Sequence, residues 1–103
     1  MRGRLALLAC LLPCLVGCIG RPGPDATGRE IYEQVCARCH GASMTGRVGP
    51  ALGPGSDAAD QPDEFLVQTI TNGRGRMPSF SSTLSDQQIA RVIAYMRQVQ
   101  EGE

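Results

Sequence analysis

The sequence holds no tryptophan, two tyrosines, two phenylalanines and a single histidine in 103 residues. So few aromatic side chains make a poor core for a small domain, which then needs a staple of some kind. The ten basic residues are all arginine and are matched by ten acids. Without a charge surplus there is no electrostatic basis for nucleic-acid binding, and partner choice has to come from local patches. No convincing strand pattern occurs, and the apolar run from Leu5 to Gly17 is too short to span a bilayer comfortably.

That run follows Arg2 and Arg4, the pattern of a secretory signal, and residues 1–17 are set aside from the fold. Leu15-Val16-Gly17-Cys18 resembles a bacterial lipobox, where cleavage before the cysteine leaves Cys18 to carry lipid. Leu7-Leu8-Ala9-Cys10 fits the same loose pattern, but cutting there would leave too short an apolar core. An ordinary secretion signal cut near Gly20, or an uncleaved anchor, is the alternative. The lipobox reading makes the chain an exported lipoprotein, anchored in a membrane and facing the periplasm or cell exterior. Five cysteines in an exported chain would ordinarily suggest disulfides, yet Cys10 and Cys14 fall in the leader and Cys18 is the lipid candidate. Residues 18–26, rich in Gly and Pro, read as a flexible tether reaching at most roughly 30 Å. Residues 27–103 read as one domain.

Thr27 with Glu30 makes a capping-box signature, and Gly28, Ile31, Tyr32, Val35, Cys36 and Cys39 recur at helical spacing, predicting a helix from about Gly28 to Cys39. From there to Gln61 the chain is loaded with Gly, Pro, Ser and Asp and predicts a long loop that must lie against something. Pro62 at the first helical position, Asp63 and Glu64 in the first turn and Asn72-Gly73 at the end bracket a second helix. Ser85 with Gln88 caps a third, whose stripe is Ile89, Val92, Ile93 and Met96.

The string that carries chemistry is Cys36-Ala37-Arg38-Cys39-His40. Two thiols three apart at a helix end can each add to one haem vinyl group while the adjacent imidazole meets the iron. One covalently attached haem c would also supply the missing core. Against it stand a thiol–disulfide pair and half a zinc site. The first needs a βαβ context and the second a further ligand pair, and no Cys or His follows His40. The sixth iron ligand is then a methionine, a weaker group or nothing. Met44 follows His40 too closely to wrap round the ring, and Met96 lies on the apolar stripe of the last helix. Met77 sits between flexible glycines and a stiffening Pro78, which can hold a thioether inward; the plain alternative is an exposed loop methionine.

Gly28 and Tyr32, the haem motif, Gly49-Pro50-Ala51-Leu52, Met77-Pro78 and Val92-Ile93-Ala94-Tyr95-Met96 together resemble class I cytochromes c over residues 27–99. The resemblance implies an all-α small cytochrome c fold, with three main helices and long loops wrapped around one covalent haem. It implies that the first and last helices cross, Gly28 permitting close approach and Tyr32 packing near Tyr95. It also assigns Cys36 and Cys39 to haem attachment and His40 and Met77 to the iron. Pro50 matches the family proline whose carbonyl accepts from the Nδ1–H of the ligand histidine, although on the residues alone a turn proline fits as well. Tyr32, Phe65, Ile70, Phe80, Val92 and Tyr95 read as haem pocket or simply as core, and Arg38, Arg47, Arg74 and Arg76 as propionate partners or solvated cations.

The expected function is one-electron transfer by a membrane-tethered shuttle, not enzymatic turnover of a small-molecule substrate, with redox proteins as donor and acceptor. A fixed haem subunit of a larger oxidoreductase complex would look the same in sequence. An open-coordination haem enzyme or gas sensor fits less well, because no second histidine exists to act as distal acid or base.

Overall fold

The computed structural model describes residues 20–103, so Cys18 and the leader lie outside the described residues. The first helix begins as Gly28–Ile31, widens into a π-helical turn over Tyr32–Cys36 and closes as Ala37–His40. Thr27 caps it by accepting from the Glu30 N–H at 3.1 Å, and its hydroxyl donates to the Glu30 carboxylate at 3.0 Å. The expected reciprocal box is therefore half made: Glu30 takes the threonine hydroxyl. Within the π turn the Ala37 N–H donates to the Tyr32 carbonyl. One extra residue in the ladder rotates the closing turn by about 100° around the axis, which re-aims the helix face at Cys36.

Gly41, with φ +85°, ends the helix and turns the chain back over it. The loop beyond it lies against the helix end. The Gly46 and Gly49 amides donate to the otherwise free carbonyls of His40 and Cys39 at 2.8 and 2.7 Å. Met44 is buried under the loop, and its carbonyl accepts from Leu52 and Gly53. A short 3-10 helix, Asp57–Asp60, capped by Ser56, interrupts the stretch expected to be wholly irregular.

The middle helix is Asp63–Asn72. Pro62 stands one place earlier than expected, as its N-cap in extended conformation, because its carbonyl accepts the first amides, Phe65 and Leu66. The last helix, Asp86–Gln100, carries the complete Ser85–Gln88 capping box and buries Ile89, Val92, Ile93 and Met96. It crosses the first helix so closely that a Cβ on Gly28 would lie 2.2 Å from the Arg91 carbonyl oxygen. The Tyr32 and Tyr95 rings meet there, 5.8 Å apart and tilted by 56°. Arg97 joins the last helix to the middle one, pairing with Asp63 at 2.9 Å and donating to the Ala58, Ala59 and Gln61 carbonyls. Among the described residues there is no strand, only an isolated bridge between Arg74 and Met77, and no helix is long and apolar enough to cross a membrane.

The reading of 18–26 as a flexible tether is corrected for its second half. Pro22 and Ala26 are buried. Gln88, itself buried in the last helix, donates from Nε2 to the Pro22 and Gly23 carbonyls at 3.2 and 3.1 Å. Arg91 donates to those of Ala26 and Pro24. Gly and Pro exclude helix and strand here, but their carbonyls still accept hydrogen bonds, and two polar side chains of the last helix use them.

Candidate haem site

The first helix delivers Cys36, Cys39 and His40 to one place. Cys36 and Cys39 are partly buried and form no disulfide with each other, and His40 is 8% exposed. Burial, reinforced by neighbouring Cys39, pushes the Cys36 thiol up to about 12. Redox-active cysteines are tuned the other way, towards thiolate, so the environment argues against disulfide exchange. Among the described residues no group of three His, Cys, Asp or Glu is placed to hold a metal ion.

His40 is oriented by the loop that folds back on it. Its Nδ1 lies 2.8 Å from the Pro50 carbonyl oxygen, a contact in which Nδ1 carries the proton and Nε2 is left as the nitrogen with a lone pair. Gly49 makes that approach possible: a Cβ there would lie 2.8 Å from His40 Cε1 and 3.0 Å from Nδ1. Next in the chain, the Gly41 carbonyl accepts from the buried Tyr32 hydroxyl at 2.6 Å. Burial pushes that phenol up to about 12, so it stays a donor at neutral pH. Gly49, Gly41 and the core position of Met44 escape sequence reasoning; the Gly49-Pro50 pair signals a turn but not which ring it touches.

Met77 stands on a separate loop. Arg74 and Met77 exchange backbone hydrogen bonds at 3.0 and 2.9 Å around Gly75, whose φ is +57°. Gly73 packs so tightly that a Cβ would lie 2.6 Å from the Met77 carbonyl oxygen. The Met77 side chain is partly buried against the hydrophobic core, and Phe80 ties the loop back to the middle helix through its amide on the Ile70 carbonyl. Cys36, Cys39, His40 and Pro50 are thus linked by one helix and its covering loop, Met77 is presented separately, and Cys18 lies outside the described residues.

The residues fit a haem. Two thiols lie three residues apart on the helix, the neighbouring imidazole has the lone pair of Nε2 to offer, and a glycine lets the loop close on the ring's Nδ1 side. Fold and site together define a small all-α haem-binding domain of the c type.

Comparison with known proteins gives the same answer. Residues 23–96 match the family described as cytochrome c oxidase, cbb3-type, subunit III. The chain is 36% identical over 92 residues to cytochrome c55X of Stutzerimonas stutzeri, covering 86% of this chain and 80% of that one. It is 39% identical over 75 residues to cytochrome c6 of Leptolyngbya boryana, covering 69% and 87%. Cytochrome cL from Hyphomicrobium denitrificans superposes with a TM-score of 0.65 at 33% identity, over 71% of this chain and 45% of that one. The chain belongs to the class I c-type cytochromes and carries covalently bound haem c, with Cys36 and Cys39 fitting the family's attachment motif.

Proposed function

We propose that this chain is a membrane-tethered one-electron carrier. In this reading His40 and Met77 hold the two axial positions of the haem iron, and Cys18 carries the lipid. The observation that carries the reading is the 2.8 Å contact between His40 Nδ1 and the Pro50 carbonyl, which supports Nδ1 as the protonated nitrogen and Nε2 as the one free for the iron. Support for Met77 comes from its braced, partly buried loop and from the other methionines, since Met44 and Met96 are buried in the core. The haem supplies the exchangeable electron, and a His/Met ligand pair raises its potential relative to two imidazoles. The protein's own part is to bind, orient and dry the site. No second histidine is present to move protons for a bound substrate.

The deciding experiment is an optical spectrum of the holoprotein, oxidised and reduced, alone and as Met77→Ala. The wild type is expected to show the weak sulfur-to-iron band at the red edge when oxidised. The variant is expected to lose it, to bind carbon monoxide when reduced, and to have a lower potential, within the roughly 0.8 V range that axial ligands set. A wild type with high-spin features and ready carbon monoxide binding would instead make this an open-iron enzyme or sensor.

Membrane attachment has its own test. Cys18→Ser is expected to move the protein from the membrane to the soluble fraction, because each buried acyl methylene contributes roughly 0.8 kcal/mol and two or more chains hold essentially permanently. Unchanged fractionation would remove the lipid anchor. A second reading, a fixed subunit of an oxidoreductase complex, is favoured by the description of the matching family. Purification only in a stoichiometric complex would select it.

A further inference from the structure

The loop from Gly41 to Pro50 brings up the carbonyl that orients His40, and its backbone is of a kind that does not hold itself. Gly41, Met44 and Gly46 have positive φ, at +85°, +58° and +93°, and Met44 is the one residue other than glycine in that region among the described residues. A side chain in the left-handed region persists only where its surroundings over-determine it. Two amides of the loop brace the helix end, Gly46 on the His40 carbonyl and Gly49 on that of Cys39. The Met44 N–H donates to the Gly41 carbonyl at 3.1 Å. Among the described residues one side chain besides that of His40 hydrogen-bonds into this loop. Tyr32, fully buried, donates its hydroxyl to the same Gly41 carbonyl at 2.6 Å, at the residue that directly follows His40. Its ring is held in turn against Tyr95, 5.8 Å away across the helix crossing. Its own carbonyl accepts the Ala37 N–H and so opens the π turn that carries Cys36. Tyr32 therefore stands at both ends of the attachment motif, its backbone at the turn leading in and its hydroxyl at the turn leading out.

We infer that Tyr32 is a positioning residue for His40: through the Gly41 carbonyl, its hydroxyl holds the loop where the Pro50 carbonyl reaches His40 Nδ1. The inference rests on the reading of His40 as an axial ligand of the haem iron. A hydrogen bond at Nδ1 makes the imidazole more basic, and a more basic ligand favours ferric over ferrous iron. Slackening that bond therefore raises the reduction potential. The effect runs through three contacts in series, from the hydroxyl to Gly41, along the loop to Pro50, and from Pro50 to Nδ1. Folding does not depend on the hydroxyl. Without it the Gly41 carbonyl keeps the Met44 N–H, so no buried acceptor is orphaned, and a phenylalanine keeps the ring that packs on Tyr95.

Tyr32→Phe, studied as the holoprotein by nuclear magnetic resonance and potentiometry, is the test. In the reduced state the His40 Nδ1 proton is expected to exchange with solvent several-fold faster than in wild type, up to about tenfold, the equivalent of one hydrogen bond. The reduction potential is expected to rise by about 30 mV, which is about a threefold shift in the oxidation equilibrium at 59 mV per tenfold for one electron. Tyr95→Phe, which alters the partner ring and not the Gly41 contact, is expected to leave both at their wild-type values. An unchanged exchange rate and potential in Tyr32→Phe, whatever its melting temperature, would overturn the inference and leave Tyr32 a packing residue. So would faster exchange shared equally by the Ile89, Val92 and Ile93 amides of the last helix, which would mean a general loosening. A lowered potential would overturn it as well. The ring-proton shifts of His40 in the same spectra report its ligation separately. Large upfield shifts from the haem ring current mark an axial ligand; ordinary shifts would overturn the ligand reading, while the Nδ1 exchange rate decides the brace.

Discussion

A Cys36→Ser, Cys39→Ser double variant is expected to retain no haem after acid–acetone extraction and to lose most of its helical circular dichroism at 37 °C. Both effects stem from how little else the fold contains. Among the described residues the buried apolar side chains number eleven, of which one is aromatic, and the loop from Gly41 to Ser56 has no regular structure of its own. A domain of this size without a disulfide sits at the margin of independent stability, and a group bound only by the folded state stabilises it in proportion to how firmly it is held. Two thioether bonds keep the haem from dissociating, so their loss removes both the pigment and the missing half of the core. Extraction followed by absorbance of the pellet measures the first, and far-ultraviolet dichroism the second. Stoichiometric, inextractable haem in the double variant would place the attachment elsewhere.

The second large effect concerns a residue with no side chain. Gly28→Ala is expected to destabilise the holoprotein by about 3 kcal/mol, at the upper end of what overpacking usually causes. The new Cβ would lie 2.2 Å from the Arg91 carbonyl oxygen, 2.8 Å from its carbon and 2.9 Å from Tyr95 Cβ. Two of those atoms are backbone in the middle of a helix and cannot step aside. The helices must separate, loosening the Tyr32–Tyr95 contact and the fully buried Ile31 and Val92. For a domain of this length the net loss lowers the melting temperature by roughly 12–24 °C. A melt within two or three degrees of wild type would mean that the crossing is looser than the structure has it.

How much of this is readable in the sequence depends on the kind of signal. The three helices announce themselves because caps and apolar stripes are local: Ser85 with Gln88 and the stripe Ile89, Val92, Ile93 and Met96 specify the last helix without outside help. Gly28 as a crossing point and Pro50 as the partner of His40 come from resemblance to a family, since neither residue type alone implies its neighbour. The π turn is hidden, because slipping the ladder from Tyr32 to Ala37 changes the bonding register and leaves the residue pattern intact. Gly49 is visible as a turn former and invisible as the residue that clears space beside His40. The docking of residues 22–26 escapes for a related reason: low propensity for regular structure is a local property, and the donors that hold this segment, Gln88 and Arg91, lie more than sixty residues away.

That docked segment sets a length scale for the whole molecule. With Cys18 as the proposed attachment point and the chain fixed from Pro22 onward by the last helix, the intervening link spans about 14 Å at most. The haem domain then works on a short leash, with the start of its last helix nearest the lipid. Under that proposal its search for partners would be two-dimensional, confined to a thin layer above the bilayer. Any protein exchanging electrons with it would then have to bring its own redox centre down into that layer, and a centre held high above the membrane would be out of reach.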